Sequence, residues 1–137
     1  MLRLVYKSIE TVPFDAIALK RLLASSRLRN VEAGLTGILI YDEGTFLQAL
    51  EGEASSLQTT FARIERDARH KDVTVLMREP DASKRMFGQW SMGYADGVGA
   101  ASVLKGFVDL PNGLRTASLD RSSAVRILDA VASRIAA

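Results

Sequence analysis

The sequence contains no cysteine and only one histidine, and these absences exclude several classes of function. Without thiols there is no disulfide framework, no cysteine nucleophile and no thiolate metal site. With His70 alone, a multi-histidine zinc site and a Cys–His catalytic arrangement are both excluded. Only a metal site built from carboxylates stays open, and no residue pattern predicts one.

Long apolar runs and a strong charge of one sign are also missing. No run approaches the roughly 20 residues that span a bilayer, and the N-terminal MLRLVYKS is too short and too polar after Val5 for a secretion signal. The pI is 9.1, but 18 Lys+Arg against 16 Asp+Glu leave a net charge of only +2. We therefore expect a soluble, cytoplasmic protein that binds neither nucleic acid nor membrane.

What is present is an ordinary globular composition, with 47% hydrophobic and 25% charged residues in 137. Alternating and helical periodicities follow one another along the chain. The predicted strands are 2–8, 35–41, 45–51, 73–79 and 86–95, and the predicted helices run from Pro13 to about residue 30, over 54–70 and over 119–135.

The predicted order βαββαββ indicates an α+β sandwich of the ferredoxin-like type, in which both helices flanking the central hairpin cover one face of the sheet. The hairpin turns at Asp42–Glu43–Gly44, where glycine suits a positive φ. We assign residues 1–97 to this domain and 98–137 to a C-terminal helical extension, which includes a turn at 111–113. The extension is expected to pack on the sheet or in a dimer.

Gln48 is out of place in its predicted strand. Phe46, Gln48 and Leu50 alternate onto one face, and that face is otherwise apolar. An unpaired buried amide costs about 1–3 kcal/mol, so we expect a bonding partner for it. The ordinary alternative is a glutamine at the sheet margin, bonded to backbone or water.

Other polar residues are predicted to converge on the same slot between helices and sheet. Tyr6 and Ser8 share the face of their strand that looks toward the helices, while Ser26 and Asn30 continue a leucine stripe on the first helix. Each has an ordinary structural explanation by itself, such as a backbone hydrogen bond or a helix cap. Together they suit a flat, largely apolar ligand with hydrogen-bonding edges, such as an aromatic heterocycle. The predicted apolar lining is Leu22, Phe46, Ile64 and Met92.

Two further groups of residues border this slot. Arg63, Asp67 and His70 are predicted to form one edge of the second helix. Trp90 and Met92 would share a face of the fifth strand, so alternation alone does not decide which of them meets the ligand.

Five motifs carry these residues: LVYKS at 4–8, N-x(5)-TGILIY from Asn30, FLQALEG at 46–52, R-I-x-R-D-x-R-H at 63–70 and WSMG at 90–93. In this order and spacing they resemble the BLUF domain, a blue-light sensor that uses flavin. The resemblance covers about residues 2–97, and the remainder is similar to the tail of short members without a fused effector.

The resemblance implies a non-covalently bound flavin between the two helices, with FAD expected and FMN the alternative. It implies that Tyr6 donates an electron and a proton to the excited flavin, and that Gln48 bridges the Tyr6 hydroxyl to N5 and the C4 carbonyl. Trp90 and Met92 match a pair that can exchange places near Gln48; Arg29 is given no role. The implied flavin-binding residues are Tyr6, Ser8, Leu22, Ser26, Asn30, Phe46, Gln48, Ile64, Asp67, Arg69, His70 and Met92.

A BLUF-like sensor would not be an enzyme. It would respond to light with a reversible red-shifted state and pass that state to a downstream signalling protein, with a homodimer as an option. The competing function is an acylphosphatase-like hydrolase on the same fold, using Arg63 or Arg69 with Asn30, although a glycine-rich phosphate loop is missing. An RNA-binding sheet is disfavoured because TFLQALE lacks the aromatic pattern of RNA-recognition strands.

Overall fold

The structure, a computed structural model, describes residues 1–88, 90–96, 107–109 and 119–135; the turn predicted at 111–113 lies outside this part of the chain. Six strands and three helices are assigned in these ranges. They are β1 (Leu2–Glu10), α1 (Ala16–Ala33), β2 (Thr36–Asp42), β3 (Thr45–Gly52), α2 (Ala54–Glu65), β4 (His70–Glu79), β5 (Gly93–Asp96), β6 (Phe107–Asp109) and α3 (Arg121–Ile135).

The strands form one sheet in the order β4-β1-β3-β2-β5-β6. The first four are antiparallel neighbours, with α1 connecting β1 to β2 and α2 connecting β3 to β4. This arrangement confirms the predicted ferredoxin-like α+β fold. β5 extends the sheet in parallel beside β2, and the unpredicted β6 lies parallel to β5.

Strand alternation divides the core between the two faces of the sheet. Tyr6 and Leu50 belong to the core under α1 and α2, whereas Val5 and Leu47 belong to a second core on the opposite face. The buried residues of the C-terminal segment join that second core; they are Leu119, Ala124, Leu128 and Val131. In the described part of the chain, no helix combines the length and apolar character that a bilayer crossing requires.

α1 begins later than its sequence pattern predicts and turns one predicted core residue outward. The Asp15 carboxylate accepts a hydrogen bond from the Ala18 amide at 2.8 Å, which caps the helix two residues after Pro13. Gly34 ends it with a φ of 70°, a left-handed conformation that favours glycine. The apolar spacing of the first predicted helix places Ile17 on its core-facing side, and this prediction is wrong: Ile17 is 62% exposed, and Leu19 is buried instead.

α2 ends at Glu65, five residues before the predicted end at residue 70. The chain turns there because the Asp67 carboxylate accepts a hydrogen bond from the Arg69 amide at 3.0 Å, a local turn that competes with helix. His70 consequently begins β4 and is not on a helix edge with Arg63.

The fifth strand is also shorter than predicted, since β5 starts at Gly93 rather than at residue 86. Trp90 and Met92 lie in the connection before it. Their backbone follows tertiary contacts there, including a hydrogen bond from the Gly37 amide to the Trp90 carbonyl at 3.1 Å. The assumption that Trp90 and Met92 share a strand face is therefore wrong.

Candidate functional site

Tyr6 and Gln48 are direct partners across the antiparallel pair β1–β3, and Leu39 of β2 is the partner of Gln48 on its other side. Directly opposed side chains in such a pair have Cβ atoms about 4.5–5.5 Å apart. The three residues therefore form one row across the sheet, on the face that α1 and α2 cover.

A cleft lies between this row and the two helices. It encloses about 720 Å³ of atom-free space, part of which is open to solvent. All twelve residues predicted to bind a ligand line it. The full lining is Tyr6, Ser8, Phe14, Leu22, Ser26, Arg29, Asn30, Leu39, Phe46, Gln48, Thr60, Arg63, Ile64, Asp67, Arg69, His70 and Met92.

Five lining residues were not predicted to bind the ligand: Phe14, Arg29, Leu39, Thr60 and Arg63. Leu39 could have been found, because the register of the predicted hairpin places it beside Gln48. Thr60 lies four residues before Ile64 and three before Arg63 on α2, so helical spacing gave a partial signal. Phe14 lies before the cap of α1, where no periodicity applies.

The Gln48 side chain is only 6% exposed, yet the protein bonds it weakly. Its Nε2 donates to the Met92 Sδ at 3.7 Å, and a thioether is a poor acceptor. A buried amide normally has stronger partners, because leaving it under-bonded costs free energy. The amide is thus free to bond a ligand in the cleft.

Tyr6 is nearly fully buried beside Gln48, and its ring packs against Phe61 with centroids 5.1 Å apart. Burial raises the pKa of the Tyr6 hydroxyl far above its usual range, and the negative charge of Asp67 raises it further. The phenol therefore keeps its proton at neutral pH.

Asp67 and Arg69 form a partly exposed ion pair at the cleft. The Arg69 Nη2 lies 2.6 Å from the Asp67 Oδ2, and the Arg69 Nε donates to the same carboxylate. The hydrogen bond from Arg69 is the main cause that lowers the pKa of Asp67 to about 2, and the carboxylate raises the pKa of Arg69 in turn. The pair thus places a negative and a positive charge side by side in the lining of the cleft.

His70 is held in the cleft wall by both ring nitrogens. Its Nε2 lies 2.6 Å from the Ile64 carbonyl oxygen, which can only accept, so Nε2 carries the proton. In the neutral ring Nδ1 then accepts from the Ser8 hydroxyl at 2.8 Å. These contacts tie the turn after α2 to β1.

α1 holds the connection that brings Met92 to the cleft. The Asn30 Nδ2 donates to the Ser91 carbonyl at 2.6 Å, and the Arg27 Nε donates to the Met92 carbonyl at 2.7 Å. Met92 is fully buried against Gln48, whereas Trp90 is absent from the lining. The Arg27 guanidinium lies 5.8 Å from the Trp90 ring centroid, and the Trp90 Nε1 has no hydrogen-bond partner among the described residues.

These features fit a planar heterocycle such as the flavin expected from the sequence. Leu22, Leu39 and Ile64 supply apolar walls, while the under-bonded Gln48 amide and the second N–H of Asn30 supply polar edges. A shallower pocket adjoins the cleft and shares Arg29, Thr60 and Arg63 with it. Within the described ranges, no group of three or more acidic or histidine side chains is placed to hold a metal ion.

Comparisons with known proteins agree with this geometry. The model of the BLUF family, described as sensors of blue-light using FAD, matches residues 1–93. The photoactivated adenylate cyclase subunit alpha of Euglena gracilis is 37% identical over 92 residues, which are 66% of this chain and 9% of that protein. The chain thus spans about a tenth of the length of the curated relatives it matches.

Two solved structures extend the likeness to three dimensions. The dark-state structure of the BLUF protein BlrB is 27% identical with a TM-score of 0.79, and the match covers 97% of this chain and 96% of that one. Klebsiella pneumoniae BlrP1, solved with FMN and cyclic diGMP, is 28% identical with a TM-score of 0.62; the match covers 93% of this chain and 29% of that one.

Proposed function

Because the chain belongs to the BLUF family of blue-light sensors, we propose that Tyr6 and Gln48 are the pair of residues that responds to light in this protein. That it is a flavin-binding blue-light photoreceptor follows from the family match and the BLUF structures it resembles. No comparison supports the alternative of an acylphosphatase-like hydrolase. The observation that carries the proposal is the buried, under-bonded Gln48 amide directly opposite a protonated Tyr6.

A flavin held in the cleft would supply absorption of blue light and an excited state oxidising enough to accept an electron and a proton from Tyr6, which it would afterwards give back. Tyr6 is the electron donor of the pair, and its buried phenol holds the proton that leaves with the electron. Gln48 carries a donor and an acceptor on one rotatable group, so it supports two alternative hydrogen-bond patterns. When Tyr6 is oxidised and then recovers its electron and proton, Gln48 is left in the second pattern. The lasting change is therefore one of hydrogen bonding, which shifts the absorption to the red.

Met92 is the residue that transmits the change in hydrogen bonding at Gln48 to the rest of the protein. Its sulfur contacts the Gln48 amide at 3.7 Å, so an amide that turns away must alter that contact. Trp90, two residues earlier, lies outside the lining and is the residue that would take the place of Met92 if the two exchange. Rearrangement of the connection before β5 then carries the state of Gln48 to the rest of the sheet.

FAD is the flavin that we propose, with FMN as the alternative. The family description names FAD, whereas BlrP1 was solved with FMN. The pocket beside the cleft contains Arg29 and Arg63, the hydroxyls of Ser55, Ser56 and Thr59, and one carboxylate, that of Glu32. The two guanidinium groups and the hydroxyls suit a phosphate group. Either flavin carries such a phosphate. Chromatography of the flavin released from purified protein identifies which one is bound.

The output is proposed to be a contact with a downstream signalling protein, not a reaction catalysed by this domain. The relatives named as cyclases extend far beyond the matched segment, so their activity is said only of them. A cytoplasmic location, homodimerisation and the division at residues 97 and 98 stay predictions.

The proposal is tested by absorption spectra of flavin-loaded protein in the dark and under blue light. Wild-type protein should show a reversible red shift, and Tyr6→Phe should bind flavin without showing it, because the variant keeps the ring but lacks the phenolic proton. Phe61→Leu serves as a control in the packing beside Tyr6 and should keep the shift. A Tyr6→Phe variant that switches normally would disprove the role of Tyr6.

A further inference from the structure

Glu51 is a fully buried acidic residue on the face of the sheet opposite Gln48. It lies three residues along β3 from Gln48, its side chain is 0% exposed, and its partners across the sheet are Arg3 of β1 and Thr36 of β2. A charge at such a place is retained only if it is well bonded. None of the roles assigned above uses it.

Its carboxylate accepts four hydrogen bonds, which fill the acceptor sites of both oxygens. One oxygen accepts from the Arg3 Nε at 3.1 Å and from the Met86 amide at 2.7 Å. The other accepts from the Thr36 hydroxyl at 3.2 Å and from the Phe87 amide at 2.8 Å. Two successive backbone amides of the β4–β5 connection are thus fixed to the middle of the sheet.

The chain from this anchor to the cleft is short and held at both ends. The Trp90 amide donates to the Phe87 carbonyl at 3.0 Å, which ties Trp90 to the anchor. Arg27 then holds the Met92 carbonyl at the cleft end. The position of the Phe87 backbone thus bears on the position of Met92, whose sulfur contacts Gln48 at 3.7 Å.

We propose that Glu51 is a positioning residue, which fixes the backbone of Met86 and Phe87 so that Met92 keeps its place against Gln48 and returns to it after illumination. This inference rests on the proposed function of Gln48. The proposal also explains why position 51 has a glutamate and not a glutamine. Glutamine at this place would turn one acceptor into a donor that faces a backbone N–H, whereas a carboxylate accepts from all four donors.

The test is Glu51→Gln, with Glu79→Gln as the matched control. Glu79 also pairs with Arg3, at 2.7 Å, but bonds neither Met86 nor Phe87. Flavin-loaded Glu51→Gln should return from the red-shifted state about five times more slowly than wild type, because the weakened anchor no longer guides Met92 back; the factor corresponds to loss of one hydrogen bond. Glu79→Gln should recover at the wild-type rate. Equal rates for wild type and Glu51→Gln would overturn the inference, as would faster recovery in Glu51→Gln or an equal slowing in both variants.

A measurement on the wild-type protein decides the matter if Glu51→Gln does not fold. Hydrogen exchange of the Met86 and Phe87 amides should be slow in the dark, as expected for amides bonded to a buried acceptor. Exchange as fast as in an exposed loop would show that Glu51 does not hold these two amides, and the inference would be overturned. The two proposals fail separately: a wild type without a red shift contradicts the proposed function, whereas a switching wild type with fast exchange at these amides contradicts only the role of Glu51.

Discussion

Replacing Gln48 by leucine should remove the light response without weakening the fold. The Gln48 amide is buried, and its protein partner is a thioether at 3.7 Å. Leucine would place an apolar group of similar size beside Phe46 and Leu50. An under-bonded buried amide costs about 1–3 kcal/mol, and this one partly faces the cleft, so we take the lower end. The unfolding free energy of the flavin-free variant should equal that of wild type or exceed it by about 1 kcal/mol.

The assay is urea unfolding of the flavin-free proteins, together with dark and light spectra of the flavin-loaded ones. Leu50→Ala, on the same strand face and fully buried, is the control and should lose about 2–5 kcal/mol. Gln48→Leu should keep bound flavin and show no red shift. If Gln48→Leu lost more than about 2 kcal/mol, its amide would be a structural hydrogen-bonding group and the reasoning would be refuted.

Three further predictions follow from the site. Because burial raises the pKa of Tyr6, the red shift should persist when the pH is raised from 7 to 10; loss with a midpoint at the ordinary phenol value of about 10 would contradict this. The pKa of Asp67 is lowered from 3.8 to about 2 beside Arg69, so its contribution to stability is complete above pH 3.8 and is lost as the pH falls through 2. Since the pair is partly exposed and screened by solvent, Asp67→Asn should cost under about 1 kcal/mol at pH 7 and show a smaller loss of stability on acidification, measured by urea unfolding; equal acid sensitivity would contradict the assignment. Met92→Leu should stay within about 1.5 kcal/mol of wild type yet shift the dark absorption maximum, whereas Trp90→Phe should leave that maximum unchanged; the reverse pattern would place Trp90 at the cleft.

That Tyr6 and Gln48 face the same side of the sheet was predictable because it depends on local rules, whereas their direct pairing joins two strands distant in sequence. Strand alternation fixes the face of each residue, and a tight hairpin at Gly44 fixes the register of β2 against β3. The fold class follows from the same rules, whereas the set of twelve predicted lining residues depends on the resemblance to the BLUF family. Their individual roles toward the flavin stay predictions.

The connection from residue 80 to 92 was not predictable in the same way. Its apolar residues resemble a strand, but its path is set by the buried Glu51 and by Arg27, which are distant in sequence. The end of α2 was misjudged for a related reason, because the Asp67 carboxylate bonds the backbone and stops a helix that the apolar spacing would continue. In both segments, hydrogen bonds from side chains to the backbone decided the local structure against the apolar periodicity of the sequence.

The most direct test of the central claim is to observe the Gln48 side chain itself. The sequence contains three glutamines, so protein labelled with ¹⁵N at the glutamine side chains gives few amide signals, and Gln48→Leu identifies the one that belongs to Gln48. The account predicts that this signal moves reversibly on blue illumination, in step with the red shift, while the signal of the exposed Gln58 stays in place. A red shift with an unmoved Gln48 signal would contradict it.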